Sequence, residues 1–373
     1  MSDRIRELQK LGQSLWLDFI SRDALRSGEL ANYIERGITG MTANPAIFEK
    51  SMAAGHAYDE DIKAQAKLGR STLQIYETLA LADVGAAADL LRPVYEETRR
   101  LDGYQSIEVS PRLAYDTQGS IDEAKRFWKE LSRPNVMIKI PGTIEGVPAI
   151  RAATAAGINI NVTLLFAIEA YEKAALAYIE GLEERAAQGL DIAGVASVAS
   201  FFVSRIDTLV DKQLDSGPQA HAHAAQLRGK AGIANAKLAY ELFQKLFSGA
   251  RWEALAAKGA RVQRPLWAST STKNPAYPDT MYMDALIGPH TVNTAPPQTI
   301  DAFADHGTVA LTVTQGLDDA RATMEQLEAA GIHMQDVTDK VLREGVRLFD
   351  EAFDRLEAGL AKKVEALRAE ARA

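Results

Sequence analysis

Eight short β-type runs that alternate with helical stretches constrain this chain more than any other feature. They are 14–19 (SLWLDF), 37–44 (GITGMTAN), 105–110 (QSIEVS), 135–140 (NVMIKI), 158–164 (ININVTL), 195–202 (VASVASFF), 264–270 (RPLWAST) and 289–293 (PHTVN). Amphipathic helical patterns such as 121–131, 166–187 and 231–246 lie between them. Strands separated by helices build a parallel sheet, because parallel neighbours need a crossover. Eight such units in roughly 300 residues favour a closed (β/α)8 TIM barrel over a doubly wound sheet. No GxGxxG or GxxxxGK[ST] motif supports a nucleotide-binding alternative.

The chain has more helix than eight units require. Residues 46–100 hold at least two helices before the third strand, and 206–262 is long for one crossover. Residues 335–371 read as one long helix, with Val337, Val341, Leu348, Ala352, Leu356 and Leu360 near helical spacing. Its apolar face is expected to pack on the barrel. No Pro/Gly/Ser-rich linker and no repeat divides the chain, so 1–373 reads as a single domain.

With 42 basic and 50 acidic residues, the net charge of −8 argues against a nucleic-acid surface, although local basic spots can still hold phosphate. Cysteine is absent, which removes disulfides, thiolate nucleophiles and cysteine metal sites. No 18-residue apolar run and no apolar h-region near the N-terminus occur. The expectation is a cytoplasmic protein with no membrane span. The six histidines, at 56, 221, 223, 290, 306 and 333, form no i,i+4 pair. His221 and His223 read as solvated, and no metal site is expected.

Lys139 is the anomaly. It sits inside Val136-Met137-Ile138-Lys139-Ile140, a strand-like apolar run. An ammonium taken out of water must be paired or lose its proton. A neutral amine is a nucleophile; the plainer use is a lysine snorkelling to a surface carboxylate.

Strand parity supplies its company. Leu15, Leu17 and Phe19 share one face, and Asp18 takes the other with Trp16. Thr42 and Asn44 share a face. Glu108 stands between Ile107 and Val109, and Asn161 and Thr163 alternate with Ile160, Val162 and Leu164. If the apolar sets pack under helices, Asp18, Asn44, Glu108, Lys139, Asn161 and Thr163 converge on one cavity at the barrel's C-terminal rim. Each has a plainer use. Asp18 could cap a helix, Asn44 before Pro45 could be an N-cap, Glu108 could merely pair with Lys139, and Asn161 and Thr163 could satisfy each other. Together they exceed what a structural core needs. One amine, two carboxylates and hydroxyl-binding amides suit a Schiff base: the lysine attacks a ketone, and carboxylates move protons.

Three segments carry a resemblance. Gly40-Met41-Thr42-Ala43-Asn44-Pro45-Ala46-Ile47-Phe48 resembles the first signature of the transaldolases. The segment from Val136 through Lys139 to Pro141-Gly142-Thr143-Ile144-Glu145-Gly146 resembles the second, which carries the Schiff-base lysine. Gly157-Ile158-Asn159-Ile160-Asn161-Val162-Thr163-Leu164-Leu165-Phe166 follows at the family's spacing. The resemblance covers most of the chain, and the length looks like that of the longer bacterial subfamily.

It implies a transferase of the pentose phosphate pathway that moves a dihydroxyacetone unit between sugar phosphates, with no cofactor. Lys139 would form the iminium and Asp18 would act on the hydroxyl whose deprotonation breaks the C3–C4 bond. Glu108 with Thr163 would hold a proton-shuttling water. Asn44 and Asn161 would bind hydroxyls, with Thr42 behind them. Ser200 would bind substrate and Arg205 phosphate. After the seventh strand the commoner family pattern is Ala-Ser-x-Arg-Asn. Here Ala268-Ser269-Thr270-Ser271-Thr272-Lys273-Asn274 is longer and offers Lys273 as the second phosphate cation, or as a surface ion-pair partner. Two rivals stay open: an aldolase releasing free dihydroxyacetone, and a non-catalytic phosphosugar-binding barrel. Monomer and homodimer are both compatible with the sequence.

Overall fold

The computed structural model describes residues 3–53, 56–216 and 226–370, so His221 and His223 lie outside the described residues. All eight strands are present: β1 (Gln13–Leu17), β2 (Gly40–Thr42), β3 (Tyr104–Glu108), β4 (Val136–Pro141), β5 (Ile160–Leu165), β6 (Ser197–Phe202), β7 (Arg264–Ala268) and β8 (Thr291–Ala295). They pair in sequence order, all parallel, and β8 closes on β1. The fold is a (β/α)8 TIM barrel.

Register fixes which residues face the axis. Trp16 pairs with Gly40, Gly40 with Tyr104, and Ser106 with Met137. Leu266 pairs with Val292, and Val198 lies two residues before Ser200, the partner of Leu266. Trp16, Tyr104, Met137, Val198, Leu266 and Val292 belong to an inner apolar cluster separate from the outer one, which holds Leu15, Leu17, Ile107, Ile138, Ile140 and Val162. The outer set packs under the helices, as the alternation predicts. Gly40 is required here, since a Cβ would lie 2.5 Å from the Trp16 indole. Below this layer the buried Arg264 pairs with Asp102 at 3.2 Å, and Asp102 accepts from Trp16 Nε1 at 2.9 Å. This plug seals the N-terminal end of the barrel, the end associated with stability.

Segment 46–100 folds as Pro45–Ala53, Asp59–Lys67 and Thr72–Glu97. The helix expected from 121 begins at Thr117, because the Asp116 side chain accepts from Gly119 N and caps a polar first turn that carries no apolar signal. The C-terminal helix spans Met334–Glu370. It packs on Pro45–Ala53, Thr72–Glu97 and the helix Ser204–Ser216. Val337, Val341, Ala352, Leu356 and Leu360 are buried as expected, but Leu348 is 42% exposed and Phe349 takes the inward position. Among the described residues no helix is long and apolar enough to cross a membrane.

Candidate active site

The strand ends that parity singled out converge. A cavity of about 210 Å³ opens there, lined by Asp18, Thr42, Asn44, Lys139, Thr163, Ser200, Arg205 and Lys273 among the expected residues. That is room for a small polar metabolite rather than a dinucleotide or peptide. Glu108 and Asn161 stand behind the lining. Glu108 reaches it through Lys139 and Asn161 through Ser200.

Lys139 is 5% exposed. Its register neighbours are Glu108 on β3 and Asn161 on β5, so three adjacent strands deliver amine, acid and amide to one row. Lys139 Nζ lies 3.3 Å from Glu108 Oε2 and donates to Ala43 O at 3.2 Å. The approach to Glu108 is an ion pair without hydrogen-bond alignment, and neither Glu108 oxygen has a hydrogen-bond partner among the described residues. Burial pushes the Glu108 carboxyl above its ordinary range. Lys139 pulls it back, and Asp18 adds a smaller push upward. A carboxyl so placed holds its proton more readily than an ordinary one.

Asp18 follows β1 directly and is half-buried. Thr42 Oγ1 donates to its Oδ1 at 2.6 Å, and Thr42 and Thr294 hydroxyls meet at 2.9 Å. Because Thr42 spends its one proton on Asp18, Thr294 must donate to Thr42. Asn44 combines two uses: its Oδ1 accepts from Ile47 N at 3.1 Å, capping Pro45–Ala53, and the residue lines the cavity. Asn161 is fixed at both ends, donating to Ser106 Oγ at 3.1 Å and accepting from Ser200 Oγ at 2.7 Å. The Thr163 hydroxyl is buried with no partner among the described residues. Just past it, β5 carries a bulge, and Leu164 adopts φ +59°. Ser269, just after β7, has φ +56°. Such backbone costs about 1–3 kcal/mol per residue and clusters at functional sites.

The cationic end is built from the loops after β6 and β7. Arg205, at the start of Ser204–Ser216, is largely buried, and its Nη1 has no hydrogen-bond partner among the described residues. Burial lowers its pKa, opposed by Glu108 and Glu344. Lys273 is solvent-exposed as a residue, yet it lines the cavity. Partial burial and then Arg205 lower its ammonium pKa. Two cations that repel each other across one cavity are a site for an anion.

Sequence reasoning missed Thr294, Ser269, Ser271, Phe202 and Phe349, all in the lining. Thr294 lies one residue beyond the strand read at 289–293, on the inward parity of Val292. Phe202 lies two past Ser200 on the same face. No sequence signal marks Phe349, which arrives from the C-terminal helix.

A closed parallel barrel whose rim presents a buried lysine, two acids, amide and hydroxyl groups and a cationic end defines a class: a (β/α)8-barrel enzyme. The family model described as Transaldolase/Fructose-6-phosphate aldolase matches residues 15–360. A "Transaldolase 2" of Nostoc sp. is 50% identical over 375 residues, covering 98% of each chain. A "Transaldolase" of Trichodesmium erythraeum is 49% identical, covering 98% of this chain and 99% of the relative. One of Thermobifida fusca is 47% identical, covering 98% and 100%. The chain belongs to the transaldolase/fructose-6-phosphate aldolase family and is an enzyme.

Proposed function

We propose that this enzyme is a cytoplasmic transaldolase of the pentose phosphate pathway. It takes a dihydroxyacetone unit from sedoheptulose 7-phosphate or fructose 6-phosphate and gives it to glyceraldehyde 3-phosphate or erythrose 4-phosphate. The observation that carries this reading is the buried 3.3 Å pair of Lys139 and Glu108 at the barrel mouth, facing a cavity that ends in Arg205 and Lys273. The whole chain acts as one domain in this reading, with Met334–Glu370 packed along it.

The unprotonated Lys139 amine adds to the ketose carbonyl, and loss of water from the carbinolamine leaves an iminium. Glu108 is the neighbour that takes and returns protons in these steps, with the Thr163 hydroxyl, which has no partner among the described residues, holding the water between. The Asp18 carboxylate takes the C4 hydroxyl proton. The C3–C4 bond then breaks, its electron pair passes into the iminium to form an enamine, and the aldehyde leaves. Addition of the enamine to an acceptor aldehyde reverses these steps, and water releases the product and Lys139. Asn44, Asn161 and Ser200 hold the hydroxyls of the three-carbon unit, with Thr42 orienting Asp18. Arg205 and Lys273 bind phosphate, the lysine as a point charge without arginine's fork.

The rival that releases free dihydroxyacetone belongs to the same family, whose members of that kind usually carry Gln in place of the third-strand acid; Glu108 favours transfer. Turnover of fructose 6-phosphate with and without acceptor separates the two, and turnover independent of acceptor sinks the transferase reading. Borohydride with fructose 6-phosphate is expected to label Lys139 and nothing in Lys139→Ala. A label on another lysine overturns the site. No adduct at all favours the non-catalytic barrel.

A further inference from the structure

Arg205 is held by two rings that come from distant parts of the chain. Its guanidinium lies over the Phe202 ring at 5.4 Å and over the Phe349 ring at 5.9 Å from the centroids. Phe202 ends β6, whereas Phe349 belongs to the C-terminal helix, 144 positions further on than Arg205. Phe349 is 7% exposed and lines the cavity. One turn before it, Gly345 stands inside a 37-residue helix, where glycine costs about 1 kcal/mol relative to alanine. A Cβ at Gly345 would come within 3.0 Å of Leu164 Cδ2 and 3.3 Å of Arg205 Nη1. The helix therefore gives up intrinsic stability where its backbone approaches the guanidinium. Glu344, the preceding residue, also acts electrostatically on Arg205. No hydrogen-bond partner among the described residues holds Nη1 in place. Ring faces and helix backbone are what orient it.

We propose that Phe349 is a positioning residue for phosphate recognition, acting on Arg205 from the C-terminal helix, with Gly345 leaving the gap the guanidinium occupies. The inference rests on the reading of Arg205 as a phosphate ligand and extends it to a helix that otherwise packs on the outside of the barrel. A cation over an aromatic face in a partly desolvated site gains binding energy and loses rotamer freedom. An arginine already aimed at the cavity then loses less freedom when an anion binds.

The test uses the full chain and inorganic phosphate as probe, measured by titration calorimetry, beside steady-state kinetics with fructose 6-phosphate. Phe349→Leu is expected to weaken phosphate binding about tenfold and to raise KM by a similar factor, with kcat within about twofold of the parent. Borohydride trapping of phosphate-free dihydroxyacetone on Lys139 should be unchanged. Phe349→Tyr keeps the ring and should bind phosphate as the parent does, which separates a lost ring contact from a lost fold. Gly345→Ala should weaken phosphate binding without removing the ring. Parent-like phosphate binding by Phe349→Leu overturns the inference alone, as does an equal loss of trapping with dihydroxyacetone. A parent protein that labels on Lys139 yet binds no phosphate overturns the reading of Arg205 and the inference with it.

Discussion

Lys139 and Glu108 form a 3.3 Å ion pair with side chains only 6% and 2% exposed. Removing one partner of such a pair typically costs about 3–5 kcal/mol, since it strands the other charge. Here the acid has a way out. Burial already holds Glu108 above its ordinary range, and Lys139 is the main group pulling it down. In Lys139→Met the carboxyl should titrate higher still.

The sign follows from linkage. An acid whose folded pKa exceeds its unfolded value of 4.5 leaves stability intact below that value and lowers it as pH rises through the folded pKa. Lys139→Met should therefore be nearest the parent in stability at and below pH 4.5 and fall behind as pH rises above it. Urea midpoints at several pH values check this. A deficit that does not change with pH would mean that Glu108 does not take up the proton.

Asp18 is oriented by a hydroxyl chain, Thr294 to Thr42 to Asp18. Asp18→Ala should lower turnover of fructose 6-phosphate by about 10²–10⁴-fold, the range for a positioned acid–base group. The iminium should still form, so borohydride still labels Lys139. Loss of labelling in this variant would place Asp18 in iminium formation instead.

How much of this was legible from sequence depends on which interactions are local. Lys139 between Ile138 and Ile140 is a period-two signal, and the same signal at Glu108 and Asn161 puts all three in one register row. Strand ends were less legible: Thr294, which pairs with Trp16 inside β8, fell one residue past the run read at 289–293. The Arg264–Asp102 plug joins a strand residue to a turn residue 162 positions away, and nothing local marks it. The C-terminal helix shows the limit most clearly. Its 3.6-residue period announces an apolar face but does not say what lies opposite. Leu348 fitted the stripe and is exposed, while Phe349 touches Arg205.

Gly40 offers a test of the barrel interior. Gly40→Ala would drive a methyl group to 2.5 Å from the Trp16 indole inside a close-packed layer. Overpacking of this kind costs about 1–3 kcal/mol. A lower urea midpoint at unchanged slope is expected, with altered Trp fluorescence. Because Thr42 lies two residues on in the same three-residue strand, kcat should fall as well. An unchanged midpoint would mean that the indole has room to move.

Asp207 gives the last prediction, on the helix that also carries Arg205. Its side chain is 1% exposed as a residue, and it accepts from Gly232 N and from the Tyr282 hydroxyl, both at 2.8 Å. Burial outweighs these bonds and pushes its carboxyl up to about 6 from 3.8. The folded pKa is raised, so stability is intact below about 3.8 and is lost as pH rises through about 6. A shift of about two units corresponds to roughly 3 kcal/mol at most. Asp207→Asn removes the titration while keeping one acceptor oxygen, at the risk of losing one of the two bonds. Its stability at pH 4 should be at or below that of the parent. Between pH 4 and pH 7 the parent should lose stability relative to the variant, so the gap narrows or reverses. Parallel pH profiles for the two proteins would show that Asp207 does not titrate in this window.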